Sequence, residues 1–241
     1  MIIEPTYSNF YSVSATKDLS SLIKGQMEMI LDSSPAISHH FKWIRSEVRF
    51  NPKKSTMKPL AYSEDKLDGR MAQVWLSDET AALPSRYPLD AMRSSQLSLV
   101  NKTGIIISTA YQTTDNPMTE EVEYVEKVLD GLIEDEKVFG LIYKPDNPKE
   151  WDKDEALYQA NPILYAVPDI YEFLDGERTK AMNMPSTKSN FLTKHLNIFV
   201  DGDIEESFVN IDDLRQGKIK EEDFEWHGKD VYLGIDLAET V

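Results

Sequence analysis

There is no cysteine in this sequence, which excludes disulfide frameworks, thiolate zinc sites and cysteine nucleophiles. Histidine is nearly as scarce. His39 and His40 are adjacent, and His195 and His227 lack ligand-type spacing, so no histidine metal site is expected. Long apolar runs are missing too. The opening MIIEPTYSNFYSVS has neither the basic end nor the apolar stretch of a signal peptide, and no later run is long enough to span a bilayer. The expectation is a soluble, cytoplasmic protein with no membrane partner. Positive charge is the minority sign: 26 Lys and Arg stand against 42 Asp and Glu, a net of −16.

What is present is enough to fold. A chain of 241 residues with 41% hydrophobic content can build one large or two small domains around a core. The charge is unevenly spread. Residues 1–110 hold 13 cations and 11 acids, a net of +2, whereas 111–241 hold 13 and 31, a net of −18. Within the first part, Lys42, Arg45, Arg49, Lys53, Lys54 and Lys58 face only Glu47. Such a run reads either as an ordinary solvated face or as a patch that attracts phosphates. The acidic remainder argues against a free-standing nucleic-acid binder.

Hydrophobic spacing and turn residues outline the elements. Asn9–Ala15 reads as a strand, and a helix follows from Thr16 with Leu19, Leu22, Ile23, Ile30 and Leu31 on one side. Ser34-Pro35 predicts a capped helix continuing through His40 to Ile44. Glu47–Asn51 and Met57–Tyr62 predict short strands around a basic turn, and AQVWLSDE a further strand. A polar helix over 84–99 precedes the buried-type strand GIIIST. Asn116-Pro117 caps a helix with Val122, Val125, Val128, Leu129, Leu132 and Ile133 inward, and Val138–Tyr143 predicts one more strand. This alternation favours a parallel sheet with helices on both faces. After a Pro-rich acidic stretch, helices are expected at Trp151–Gln159, Pro168–Ala181 and Thr187–Asn197, and an apolar strand at Val231–Asp236.

Two segments carry chemistry. Val74-Trp75-Leu76-Ser77 ends in the acids Asp78 and Glu79. Carboxylates at the C-terminal end of a sheet strand lie where open α/β sheets bind ligands. There one acid can hold Mg²⁺ and the next can orient an attacking water. A plain strand end leading into a loop produces the same pattern. Ile105-Ile106-Ile107 likewise ends in the hydroxyls of Ser108 and Thr109, suited to sensing a γ-phosphate or simply to satisfying backbone groups. Trp43, Trp75, Trp151 and Trp226 read as core or interface residues rather than stacking platforms.

LAYSEDKLDGRMAQVWLSDETAALP and GIIISTAY, followed in order by Gln159-Ala160-Asn161-Pro162, by Phe191 to Asn197 (FLTKHLN) and by Val231 to Leu237 (VYLGIDL), resemble the large terminase subunit of tailed bacteriophages. The resemblance implies an ATP-driven motor that packages double-stranded DNA into the capsid, joined to an RNase H-like endonuclease that cuts it. It implies ATP and Mg²⁺ as cofactors, with the small terminase subunit and the portal protein as partners, and oligomeric action in the host cytoplasm. Carried over by position, Asp78 is the Mg²⁺ acid, Glu79 the catalytic carboxylate, Ser108 and Thr109 the coupling motif, and Asp236 the first nuclease metal ligand.

One family motif has no counterpart: no G-x-x-x-x-G-K-[ST] run, the loop that cradles phosphates, occurs in these residues. The expectation is therefore an internal piece of a terminase, of α/β class. It would have an incomplete P-loop-type parallel sheet with flanking helices in residues 1–145, a helical linker region over 146–229, and the first strand of the nuclease domain in 230–241. A non-catalytic prophage remnant or protein-interaction module is the alternative.

Overall fold

The computed structural model describes residues 1–62 and 67–200. Six strands form one sheet: β1 (Asn9–Ser14), β2 (Phe41–Ile44), β3 (Glu47–Phe50), β4 (Ser55–Ala61), β5 (Val74–Asp78) and β6 (Thr103–Ile107). Their spatial order is β2-β3-β4-β1-β5-β6. From β4 to β6 neighbours run parallel, but β2 and β3 form an antiparallel hairpin that continues antiparallel onto β4. The sheet is thus mixed rather than wholly parallel. The cause is local. The connection from β3 to β4 is the short turn Asn51–Lys53 closed by Lys54 in the left-handed region at φ 54°, too short for a crossover and long enough only to reverse the chain.

The same hairpin corrects a second expectation. The helix opened by Pro35 stops at Ser38 as α2 (Pro35–Ser38), and Phe41–Ile44 is a strand instead of its continuation. Phe41, Trp43 and Ile44 are bulky or β-branched and pair with Phe50, Val48 and Glu47, and such cross-strand contacts outweigh a weak helical spacing.

Helices cover both faces. Thr16 caps α1 (Lys17–Asp32) by accepting a hydrogen bond from the Leu19 amide. This helix lies on the face that β1 lines with Ser12, whose Oγ donates to the Ser20 carbonyl at 2.9 Å. Alternate residues of β1 point the other way. Tyr11 and Val13 pack with Trp75, Leu83 and, from α3 (Tyr87–Ser95), Leu89 and Met92 in the main core. Gly104 lets β6 close on this core, since a Cβ there would overlap the Trp75 indole.

Asn116 caps α4 (Pro117–Leu129) by accepting from the Met118 and Thr119 amides. A Schellman turn ends it: Gly131 sits at φ 73°, and Leu132 donates back to the Lys127 carbonyl. Leu129 and Leu132 are exposed rather than inward, because α4 meets the rest of the domain mainly along its Pro117, Glu121 and Val125 side. Arginines of α3 fasten that side. Arg93 reaches both oxygens of Glu121, and Arg86 binds Glu120 and Glu121 at 2.8 and 2.6 Å. Burial alone would push the Glu121 carboxyl up, but Arg93 and Arg86 together hold it below the ordinary glutamate value.

Residues 138–143 are not a strand. They keep the alternation that predicted one, with Val138, Gly140 and Ile142 turned inward and Phe139, Leu141 and Tyr143 exposed, but among the described residues β6 is the last strand on that side and no strand pairs with them. Beyond them, α5 (Asp154–Ala160), α6 (Ile170–Asn183) and α7 (Pro185–Leu196) enclose a second core of Leu157, Leu164, Leu174, Phe191, Leu192 and Leu196. Arg178, buried beneath it, is neutralised by Asp154 and Asp175. The expected strand at 231–236 lies outside the described residues.

Candidate active site

The C-terminal ends of β4, β1, β5 and β6 lie along one edge of the sheet. The chain passes from β1 to β4 on one side, then to β5 on the other. The crevice at such a reversal is where open α/β sheets place ligands, and it lies between Ser14 and Asp78.

Asp78 is the last residue of β5, paired in register with Ile107 of β6. Its Oδ1 accepts a hydrogen bond from the Glu79 amide at 3.1 Å. Glu79 then takes left-handed backbone angles, φ 51° and ψ 50°, which are strained for a residue with a Cβ and long side chain. Among the described residues its buried Oε2 has no hydrogen-bond partner, and neither has the Ser14 Oγ. A carboxylate oxygen removed from water with no donor is costly, and such costs concentrate where a ligand supplies the missing partner. The turn itself is rigid. Ser77 and Thr80, both fully buried, join their hydroxyls at 2.8 Å beneath the two acids.

Ser108 and Thr109 follow β6 directly. The Ser108 Oγ accepts from the Ala81 amide at 3.1 Å and donates to the Thr109 carbonyl at 2.9 Å. It therefore ties the exit of β6 to the turn that carries Glu79. Thr109 Oγ1 accepts from Lys194 Nζ at 3.1 Å, and that ammonium lies 4.3 Å from the centre of the Tyr111 ring. Asn197, left-handed at φ 53° just after α7, accepts from the Ala110 amide and donates to the Tyr143 carbonyl. Ser108, Thr109, Asn197, Tyr143 and Lys144 line part of a cavity of about 130 Å³.

The structure thus brings Asp78, Glu79, Ser108 and Thr109 to one edge, while Asp236 lies outside the described residues. Sequence reasoning singled out FLTKHLN without giving Lys194 or Asn197 a task. The available signal was an asparagine just past a helical run, the position where a left-handed cap forms. The basic run divides as well. Lys42, Arg49 and Lys58 share a sheet face, by the register that pairs Lys42 with Arg49 and Arg49 with Thr56. Arg49 and Lys58 both bind Glu47.

The Asp78 carboxylate and the Glu79 oxygen that lacks a hydrogen-bond partner among the described residues thus belong to one turn at the end of β5. No helix among the described residues is long and apolar enough to cross a membrane.

The sheet and its helices are similar to those of solved phage large terminases. The large terminase of bacteriophage HK97 matches with a TM-score of 0.68 at 18% identity, over 81% of this chain and 40% of that one. An ATPase-domain mutant of the large terminase of Thermus phage P74-26 matches with a TM-score of 0.51 at 14% identity, over 81% of this chain and 78% of that one. Protein YmfN of Escherichia coli strain K12 is 29% identical over 133 residues, which is 55% of this chain and 29% of that protein. The chain therefore spans less than a third of this curated relative. Family models match in succession, the terminase large subunit ATPase domain over residues 4–127 and its endonuclease domain over residues 132–241. With an acidic strand end and a hydroxyl-bearing neighbour on one sheet edge, and both models matching in order, the chain belongs to the terminase large subunit family.

Proposed function

We propose that this chain serves the ATP-driven packaging of double-stranded DNA, with endonucleolytic cutting of that DNA by the region that includes Asp236. The single observation that carries the reading is the buried, unpartnered carboxylate oxygen of Glu79 on a strained turn beside Asp78. Asp78 is the residue to hold Mg²⁺, and the bound ion would neutralise charge developing on the β- and γ-phosphates. Glu79, fixed by the Ser77–Thr80 pair beneath it, would accept a hydrogen bond from the attacking water and orient it. Ser108 would relay a shift of that turn into β6 through its bond to Ala81. Thr109 would pass it to Lys194 and α7. The separate core of α5 to α7, within residues 154–196, supports the described part of a linker region, 146–229, between an ATPase part, 1–145, and a nuclease part from 230. Small terminase subunit and portal protein are the partners that this role requires.

The phosphate-cradling loop is not among these 241 residues, which sets the test. ATP hydrolysis is measured for the chain alone and with a loop-bearing segment of a terminase large subunit supplied as a second polypeptide. The chain alone should stay at background, and the mixture should turn over ATP in a way that Glu79→Gln abolishes and Glu123→Gln, on the exposed side of α4, does not. A mixture indifferent to Glu79→Gln would overturn the reading and favour a non-catalytic interaction module.

A further inference from the structure

At the end of the sheet away from β6, the outermost strand is β2. The Asn51 amide donates to the His40 carbonyl at 3.0 Å, and the register pairs Lys42 with Arg49 and Ile44 with Glu47. Bonded and non-bonded pairs alternate along antiparallel strands, so Lys42 and Ile44 turn their amides and carbonyls toward β3. Phe41 and Trp43 turn theirs outward, and among the described residues none of these four groups has a hydrogen-bond partner. The edge is held in place from both sides. Phe41 packs on Phe50 with ring centres 4.9 Å apart, and Lys24 of α1 donates to the Arg45 carbonyl at 3.4 Å. The segments that lead into and out of the described domain lie by other strands. Glu4 is bound by Lys53 and by Asn101, just ahead of β6, and Lys194 of α7 reaches Thr109 at the exit of β6.

The side chains of the edge define what it accepts. By the register, Phe41 and Trp43 share a face with Val48 and Phe50, which are buried, and are themselves half-buried. Lys42 stands on the other face beside Arg49, exposed and without a salt-bridge partner among the described residues. Neighbours on adjacent strands interact face by face. A guest residue beside Lys42 is therefore favoured when it is Asp or Glu, and the guest residues on either side of it are favoured when apolar. A lysine on an edge strand guards against edge-to-edge pairing, and Lys42 does so against a second copy of this chain. Two β2 edges that used all four outward groups would pair Phe41 with Trp43 and set Lys42 against Lys42. A DNA phosphate also suits a cation, but it has no donor for the Phe41 and Trp43 carbonyls.

We propose that the β2 edge receives an extended segment of another polypeptide in which apolar and acidic residues alternate, with an acidic one seated beside Lys42. The segment adds as a further strand. It takes up the amides and carbonyls of Phe41 and Trp43, lays its apolar side chains alongside theirs, and sets a carboxylate against the Lys42 ammonium. The inference rests on the geometry and charge of this edge and stands apart from the reading of Asp78 and Glu79.

The test titrates the full chain with an end-capped peptide of alternating valine and glutamate and reads amide hydrogen exchange residue by residue. Excess peptide should slow the Phe41 and Trp43 amides about tenfold or more and leave those of Lys42 and Ile44, already bonded to β3, unchanged. The same peptide with lysine in place of glutamate should have no effect. In Lys42→Glu the preference should reverse, the lysine peptide protecting the two amides and the glutamate peptide not. Failure of the glutamate peptide to protect them, equal protection by the lysine peptide or by a DNA duplex, or an unchanged preference in Lys42→Glu would overturn the proposal. Phe41 and Trp43 amides that exchange slowly before any peptide is added would overturn it too. The edge would then be covered by the chain itself in a monomer or by a second copy in a dimer, which sedimentation distinguishes.

Discussion

Ser108 Oγ accepts the amide hydrogen of Ala81 at 3.1 Å, so the residue that ends one strand's apolar run holds the turn following its neighbour's acidic pair. Ser108→Ala deletes this acceptor and leaves a partly buried amide without a partner. The expected cost is about 1 kcal/mol, read as a lower urea midpoint with unchanged slope. A variant as stable as the parent would mean that water replaces the hydroxyl freely and that the two strand ends are not coupled.

Strain at Glu79 makes an opposite prediction. Its left-handed backbone and unpartnered carboxylate oxygen both oppose folding. Glu79→Gly removes both at the expense of some chain entropy, and should stabilise the protein by about 1 kcal/mol. Loss of stability on this substitution would show that the carboxylate is satisfied in solution.

Acid should loosen the seam between α3 and α4. Glu121 titrates below its ordinary value of 4.5 in the folded protein. Its contribution is complete above that value and is lost as pH falls through the depressed one. Urea midpoints measured downward from pH 6 should fall less for Glu121→Gln than for the parent below about pH 4.5. Parallel curves would assign acid sensitivity to other carboxylates.

DNA binding by the basic face should separate free cations from paired ones. Lys42 has no partner among the described residues, whereas Glu47 engages Arg49 and Lys58. If the face grips phosphates, Lys42→Ala should reduce the slope of log K against log salt by about one. Arg49→Ala should reduce it by less, because Glu47 already takes part of that charge. Equal effects, or none, would leave the face without a role in binding.

Much of this was legible in local chemistry. Thr16 and Asn116 announce helix starts because their side chains satisfy free amides, and Asp78 is a strand end because an apolar run stops there. The misread elements share a cause. Phe41–Ile44 and 138–143 have spacings that neighbours decide: the first finds Phe50 and Val48 to pair with, and the second finds no strand beside it among the described residues. Long-range partners such as Lys194 for Thr109 leave no local trace, since helix α7 would look the same wherever it docked.

The bonds of Asn197 also bear on when the sheet edge becomes firm during synthesis. Asn197 joins Ala110 across 87 residues of chain. At a synthesis rate of about 5–20 residues per second, the exit of β6 leaves the ribosome at least several seconds before its clamp is made. During that interval the exit of β6 is held by its ladder to β5 and by the bond from Ala81 to Ser108. A nascent chain stalled before α7 should therefore be cleaved by protease near Thr109, and one stalled well past Asn197 should resist.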